Sequence, residues 1–170
     1  MKRAWIIVLT CLPLLLSACT EPSTSMVFLG EGVTVPKKVM VIPFDADLSI
    51  AIQATAQFAG ALRSLGFEVV ERPLEEMLGD SILTSETRIK LKEQIGIEGL
   101  FLGNIKFDRG EWTFDTSFNI RLIDVETGRV LWVAEVYDPR TFGSVSDKRT
   151  SATYTVNNAV KILKRDLKLK

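Results

Sequence analysis

The residue types that carry most protein chemistry are thinly spread in this chain. None of its 170 residues is a histidine, which removes the commonest general base and the commonest metal ligand. Two cysteines, Cys11 and Cys19, both fall in or just after an apolar amino-terminal stretch. Asp45 and Asp47 flank the start of an expected helix, a spacing open to a metal ion, but helix caps and turns use the same residues. Glu75 and Glu76 are neighbours on a short expected helix, so their side chains diverge and cannot work as a carboxylate pair. There is no P-loop and no Ser nucleophile elbow. Gly30-Glu31-Gly32 lacks the preceding strand and following helix that a dinucleotide site needs. The expectation is a protein that is not an enzyme, with no metal and no cofactor.

One cysteine does have a chemical setting. Lys2 and Arg3 precede an apolar run from Ile6 to Leu16, and the small pair Ser17-Ala18 leads into Cys19. That order is an export signal, and the run is shorter than the roughly 20 residues a permanent membrane helix needs. Leu16-Ser17-Ala18-Cys19 resembles the bacterial lipobox, which implies acylation of the Cys19 thiol (palmitate among the chains) and cleavage between Ala18 and Cys19. The competing reading is an ordinary signal peptide with a coincidental cysteine. Cleavage removes Cys11 and leaves no second thiol for a disulfide. By the same resemblance, Thr20, which is not Asp, sorts the protein to the outer membrane. More than one acyl chain makes such an anchor stable.

The elements behind the signal follow from periodicity. Residues 19–37 carry scattered Gly, Pro, Ser and Thr and read as the lipidated end and a flexible tether, with the domain over 38–170. Val39 to Phe44 reads as a buried strand, Ile50 to Leu65 as a helix with Asp47 or Ser49 as its cap, and Phe67 to Glu71 as a second strand. Short links make this a βαβ unit with parallel strands. A short helix is expected from Pro73 to Gly79 and a charged one from Glu86 to Ile95, closed by Gly96. Gly99 to Phe107 is apolar on both faces, as a central strand would be. From Trp112 to Leu122 apolar and polar residues alternate, and Thr127-Gly128 turns the chain into Val130 to Tyr137, a long antiparallel hairpin. Ala152, Val156, Ala159, Val160, Leu163 and Leu167 form the stripe of a final helix ending in basic residues. The fold class is α/β (α+β), a mixed sheet flanked by helices in two or three layers.

The order β-α-β-α-β-β-β-α, with "VMVIPF", "ALRSLGFEVVER", "EQIGIEGLFLGNI" and "IRLIDVETGRVLW", resembles the CsgG-like and LpoB-like bacterial envelope lipoproteins. Their domain is similar to the amino-terminal domain of TolB. The resemblance implies a non-catalytic interaction subunit or accessory factor of an envelope assembly or secretion complex, lipid-anchored at the outer membrane and facing the periplasm. Its partners would be the bilayer, through acylated Cys19, and envelope proteins. A ring or pore subunit, and so a homo-oligomer, is the alternative. It would use the 111–137 hairpin, whose strands approach the roughly 9 to 11 residues that span a bilayer. A peptidoglycan- or small-ligand-binding domain is a third reading. Trp112, Phe114, Trp132 and Phe142 are the candidate interaction surface, with core packing as the other role open to them. Lys and Arg together equal Asp and Glu at 21 each, so bulk charge gives no sign of nucleic-acid binding.

Overall fold

The computed structural model describes residues 23–28, 34–70, 84–109, 114–141 and 145–169. Their elements are β1 (Thr24–Val27), β2 (Lys38–Val41), α1 (Leu48–Ser64), β3 (Glu68–Val70), α2 (Ser85–Ile95), β4 (Gly99–Arg109), β5 (Phe114–Asp124), β6 (Val130–Thr141) and α3 (Val145–Asp166). The strands form one sheet in the order β1-β6-β5-β4-β2-β3. The fold is therefore mixed α/β, as the periodicity implies.

β2, α1 and β3 are the expected βαβ unit, with β2 parallel to both β3 and β4. Gly66, at φ +90°, makes the sharp exit from α1 that places β3 beside β2. Asp47 stands at the α1 cap position, but its side chain makes no capping bond. Its carbonyl accepts from Ile50 and Ala51 instead, and its carboxylate lies 4.0 Å from Lys148. α2 starts at Thr84, whose hydroxyl accepts from the Thr87 N–H, and ends at Gly96 in the left-handed region. The helix expected over 73–79 lies outside the described residues.

β4, β5 and β6 are antiparallel neighbours, and β4 and β5 pair in unbroken register from Gly99–Asp124 to Arg109–Phe114. The β5–β6 turn is built by Asp124. Its carboxylate accepts from both the Thr127 N–H and hydroxyl, and Gly128 closes the turn at φ +72°. Odd and even residues then part company. Phe118, Ile120 and Leu122 of β5 face Trp132, Ala134 and Val136 of β6 on the core side, under α1 and α3. Phe44, Phe58, Phe101 and Phe118 meet edge to face at the centre, with centroids 4.9 to 6.4 Å apart. On the other face α2 covers only the β2–β4 end, through Met40, Leu91, Ile97, Leu100 and Val125. The molecule is three layers deep at one end and, among the described residues, two at the other.

The amino-terminal stretch departs from its reading as a tether. Thr24–Val27 pairs antiparallel with β6, from Thr24–Glu135 to Val27–Trp132, and Phe28 N–H continues to the Leu131 carbonyl. Four residues with two apolar side chains carry almost no local strand signal. The open backbone edge of β6, more than a hundred positions later, is what orders them. The folded unit thus begins well before residue 38.

Candidate interaction surface

Pro43 determines the shape of the exposed face. It cannot donate to a neighbouring strand, so pairing between β2 and β4 breaks after Ile42 and resumes only at Asp45. There Asp45 N–H donates to the Gly103 carbonyl at 3.0 Å, and Ile105 N–H donates to the Asp45 carbonyl at 2.9 Å. Phe44, between these two points, turns inward against Phe58 and Phe118. It fits because position 103 is glycine: a Cβ there would lie 2.8 Å from the Asn119 carbonyl and 3.2 Å from the Phe44 ring. With Phe44 turned in, Ile42, Pro43 and Asp45 turn outward.

The result is a groove of about 560 Å³ across the uncovered side of the sheet. Ile42, Pro43, Leu102 and Val133 supply apolar wall; Asp45, Asn104, Asn119 and Arg121 supply polar groups. Asn104 and Asn119 are cross-strand partners, as are Arg121 and Val133. The Asn104 Oδ1 is buried and has no hydrogen-bond partner, a condition that native structures avoid unless something supplies the missing donor. The groove offers a carboxylate, two amides and the fork of donors of an arginine. That set can hold a ligand bearing both donors and acceptors. No group of three His, Cys, Asp or Glu able to hold a metal is present among the described residues.

The residues singled out from sequence fare unevenly. Ala18, Cys19, Thr20, Trp112 and Phe142 lie outside the described residues. Phe114 starts β5 opposite Arg109 and Thr141. Trp132 is not part of any surface: it is 0% exposed, and its indole N–H donates to Asp166 at 3.0 Å. It faces inward because its partner Leu122 belongs to the apolar side of β5. Asp45 enters the groove, whereas Asp47 does not line it. Asn104 was missed, although its signal is visible: it is the one amide in the apolar run of β4.

No protein-family model matches the sequence and no curated protein is similar to it. Solved structures share the fold. The PelC dodecamer from Paraburkholderia phytofirmans aligns with a TM-score of 0.55 at 20% identity, covering 84% of this chain and 97% of that one. Lipoprotein GNA1162 from Neisseria meningitidis aligns with a TM-score of 0.50 at 18% identity, over 75% of this chain and 99% of that one. The LpoB C-terminal domain from Salmonella enterica aligns more loosely, with a TM-score of 0.47 at 20% identity over 65% of this chain and 87% of that one. At these identities the likeness is one of fold, shared with a protein named as a lipoprotein.

Proposed function

We propose that this chain is an outer-membrane lipoprotein, held by acylated Cys19 with its domain in the periplasm, and that it is a non-catalytic interaction subunit of an envelope assembly or secretion complex. The observation that carries the interaction role is the groove on the uncovered sheet face, with the unsatisfied Asn104 Oδ1 among Asn119, Arg121 and Asp45. The anchoring role is supported by the order of basic, apolar and small residues before Cys19, and by the shared fold with a protein named as a lipoprotein. Secretion, as against other envelope work, is supported by the sequence resemblance to the CsgG-like group alone.

Two experiments test this. Metabolic labelling with a palmitate analogue is expected to mark the wild-type protein and not Cys19→Ser; equal labelling removes the anchor. A photo-crosslinking residue at Arg121 is expected to capture an envelope protein in cells, with no matching adduct from Lys90 on exposed α2. Adducts no stronger than at Lys90 remove the interaction site, and adducts to wall fragments alone move the reading to peptidoglycan binding.

Assembly into a ring is the second reading, favoured by the fold shared with a dodecamer. It concerns folded domains side by side and not membrane entry of the 111–137 hairpin, because Phe118, Ile120 and Leu122 are buried against the helices. The mass of the lipidated protein in mild detergent decides between monomer and ring.

A further inference from the structure

β1 and the end of α3 meet at one corner of the molecule. Arg165 donates to the Ser25 hydroxyl at 3.0 Å, across 140 positions of sequence. Val27 pairs with Trp132, whose indole N–H is held by Asp166. This corner combines two unusual surfaces. Met26, Val27 and Phe28 are consecutive large apolar residues, 61%, 43% and 53% exposed. As β1 is the outermost strand, side chains of both its faces are accessible from the edge. Lys161, Lys164, Arg165 and Lys168 are exposed beside it. At 3.6 residues per turn Lys161, Lys164 and Arg165 fall within an arc of about 100°, opposite the buried stripe of Val156, Ala159 and Leu163, and Lys168 follows just past the end of α3 at φ +51°. Asp166, the acidic residue among them, accepts from Trp132 with one carboxylate oxygen and pairs with Arg165 through the other at 2.8 Å, so the lysines supply the remaining positive charge of the arc.

We infer that this corner is a membrane-docking surface: the basic arc of α3 takes the phosphates of anionic lipid headgroups while the edge of β1 enters the interface. The inference rests on the Cys19 anchor, because that anchor fixes what the corner can reach. An extended chain gains at most about 3.4 Å per residue, so Thr24 lies no more than about 17 Å from Cys19. The apolar edge is therefore held near the lipid, and this reach lets the arc beside it come within one Debye length of the headgroups, about 8 Å, where attraction is not screened away. Once signal cleavage removes Lys2 and Arg3, the remaining chain carries a small net negative charge. An anionic surface thus repels the rest of the domain and attracts this corner, which sets an orientation as well as an attachment. A surface that pairs basic residues with exposed apolar ones beside a lipid chain has the two contributions that interfacial binding needs. In this pose the sheet stands edge-on to the bilayer and its groove remains in the aqueous space.

The test uses the full chain purified from membranes with its anchor and reconstituted into vesicles of phosphatidylcholine, alone or with about 30% phosphatidylglycerol. Hydrogen exchange is read over peptides covering 24–28 and 161–169. Slowing by about fivefold or more in both peptides is expected with the anionic vesicles, the factor that one well-placed cation supplies. It is expected to vanish in high salt and in Lys161→Glu/Lys164→Glu, with exchange in β4 and β5 showing that the variant is folded. Equal exchange in neutral and anionic vesicles overturns the proposal. So does slowing that appears without lipid as protein concentration rises, which assigns the β1 edge to a second copy. If the purified chain carries no acyl mass, the anchor reading has failed separately. Cosedimentation of that soluble chain with anionic but not neutral vesicles still supports the surface, and no cosedimentation overturns it.

Discussion

The indole N–H of Trp132, wholly buried, ends on the Asp166 carboxylate. Partial burial works against ionisation of Asp166, but hydrogen bonds from Trp132, Ser25 and Arg165 and the charge of Arg165 outweigh it and hold its pKa below the ordinary 3.8. The sign follows from linkage. The stabilising contribution of Asp166 is full above its ordinary pKa and is lost as pH falls through the lower folded value. Asp166→Asn is therefore expected to destabilise at pH 7 and to flatten the acid-side loss of stability, read as urea midpoints from neutral pH to about pH 3. Trp132→Phe leaves the carboxylate without its indole donor and is expected to cost about 1–2 kcal/mol in the same titration. Gly103→Ala forces a methyl to within 2.8 Å of the Asn119 carbonyl. It is expected to cost about 1–3 kcal/mol through displacement of strand backbone and Phe44, and to weaken any ligand of the groove in proportion.

At the scale of elements, Gly128 shows how a local rule holds a long one. Its φ of +72° closes the Asp124–Thr127 turn, and that turn sets the register of every pair between β5 and β6. Gly128→Ala is expected to lose about 1–2 kcal/mol of stability by urea denaturation, the left-handed penalty for a side chain. Such features were legible in the sequence because they are local. The cap at Gly96, the period-two alternation of β5 and the stripe of α3 each lie within a few turns or residues of their cause. The failures have long-range causes. β1 exists because of β6, a partner that no window around residue 24 contains. Trp132 reads as a surface candidate until the register with Leu122 assigns its face. Within α1 the apolar Ile52 is 51% exposed, while Ile50, Ala51 and Ala54 face the core, a choice of face that packing makes and composition does not. The groove required knowing that the chain beyond Pro43 rejoins β4 at Asn104, a tertiary fact with only a polar residue in an apolar run to announce it.

At the scale of the molecule, the sheet has a protected side, covered by α1 and α3, and a side that α2 covers in part. Its edges are β1 and β3. Deleting residues 24–28 leaves all three helices and the central strands in place but strips β6 of its outer neighbour. The expected outcome is a folded domain of lower thermal stability that self-associates, since an exposed long strand recruits another. Light scattering behind a sizing column measures the association, and far-ultraviolet circular dichroism checks that the domain is folded. A monomer as stable as the parent is the contrary result.

The Arg165–Ser25 contact also has a consequence in time. Among the described strands β1 is the first to be synthesised, yet Ser25 waits for a residue 140 positions later, and the strand itself waits for β6. Contacts between such distant positions are costly to form, because the entropy of closing the loop must be met before they return anything. Whenever β1 is undocked, the β6 edge stands open. During that interval the edge can accept the β1 of a neighbouring molecule as readily as its own. A crowded population is thus exposed to strand exchange, and docking of β1 settles whether each copy closes on itself.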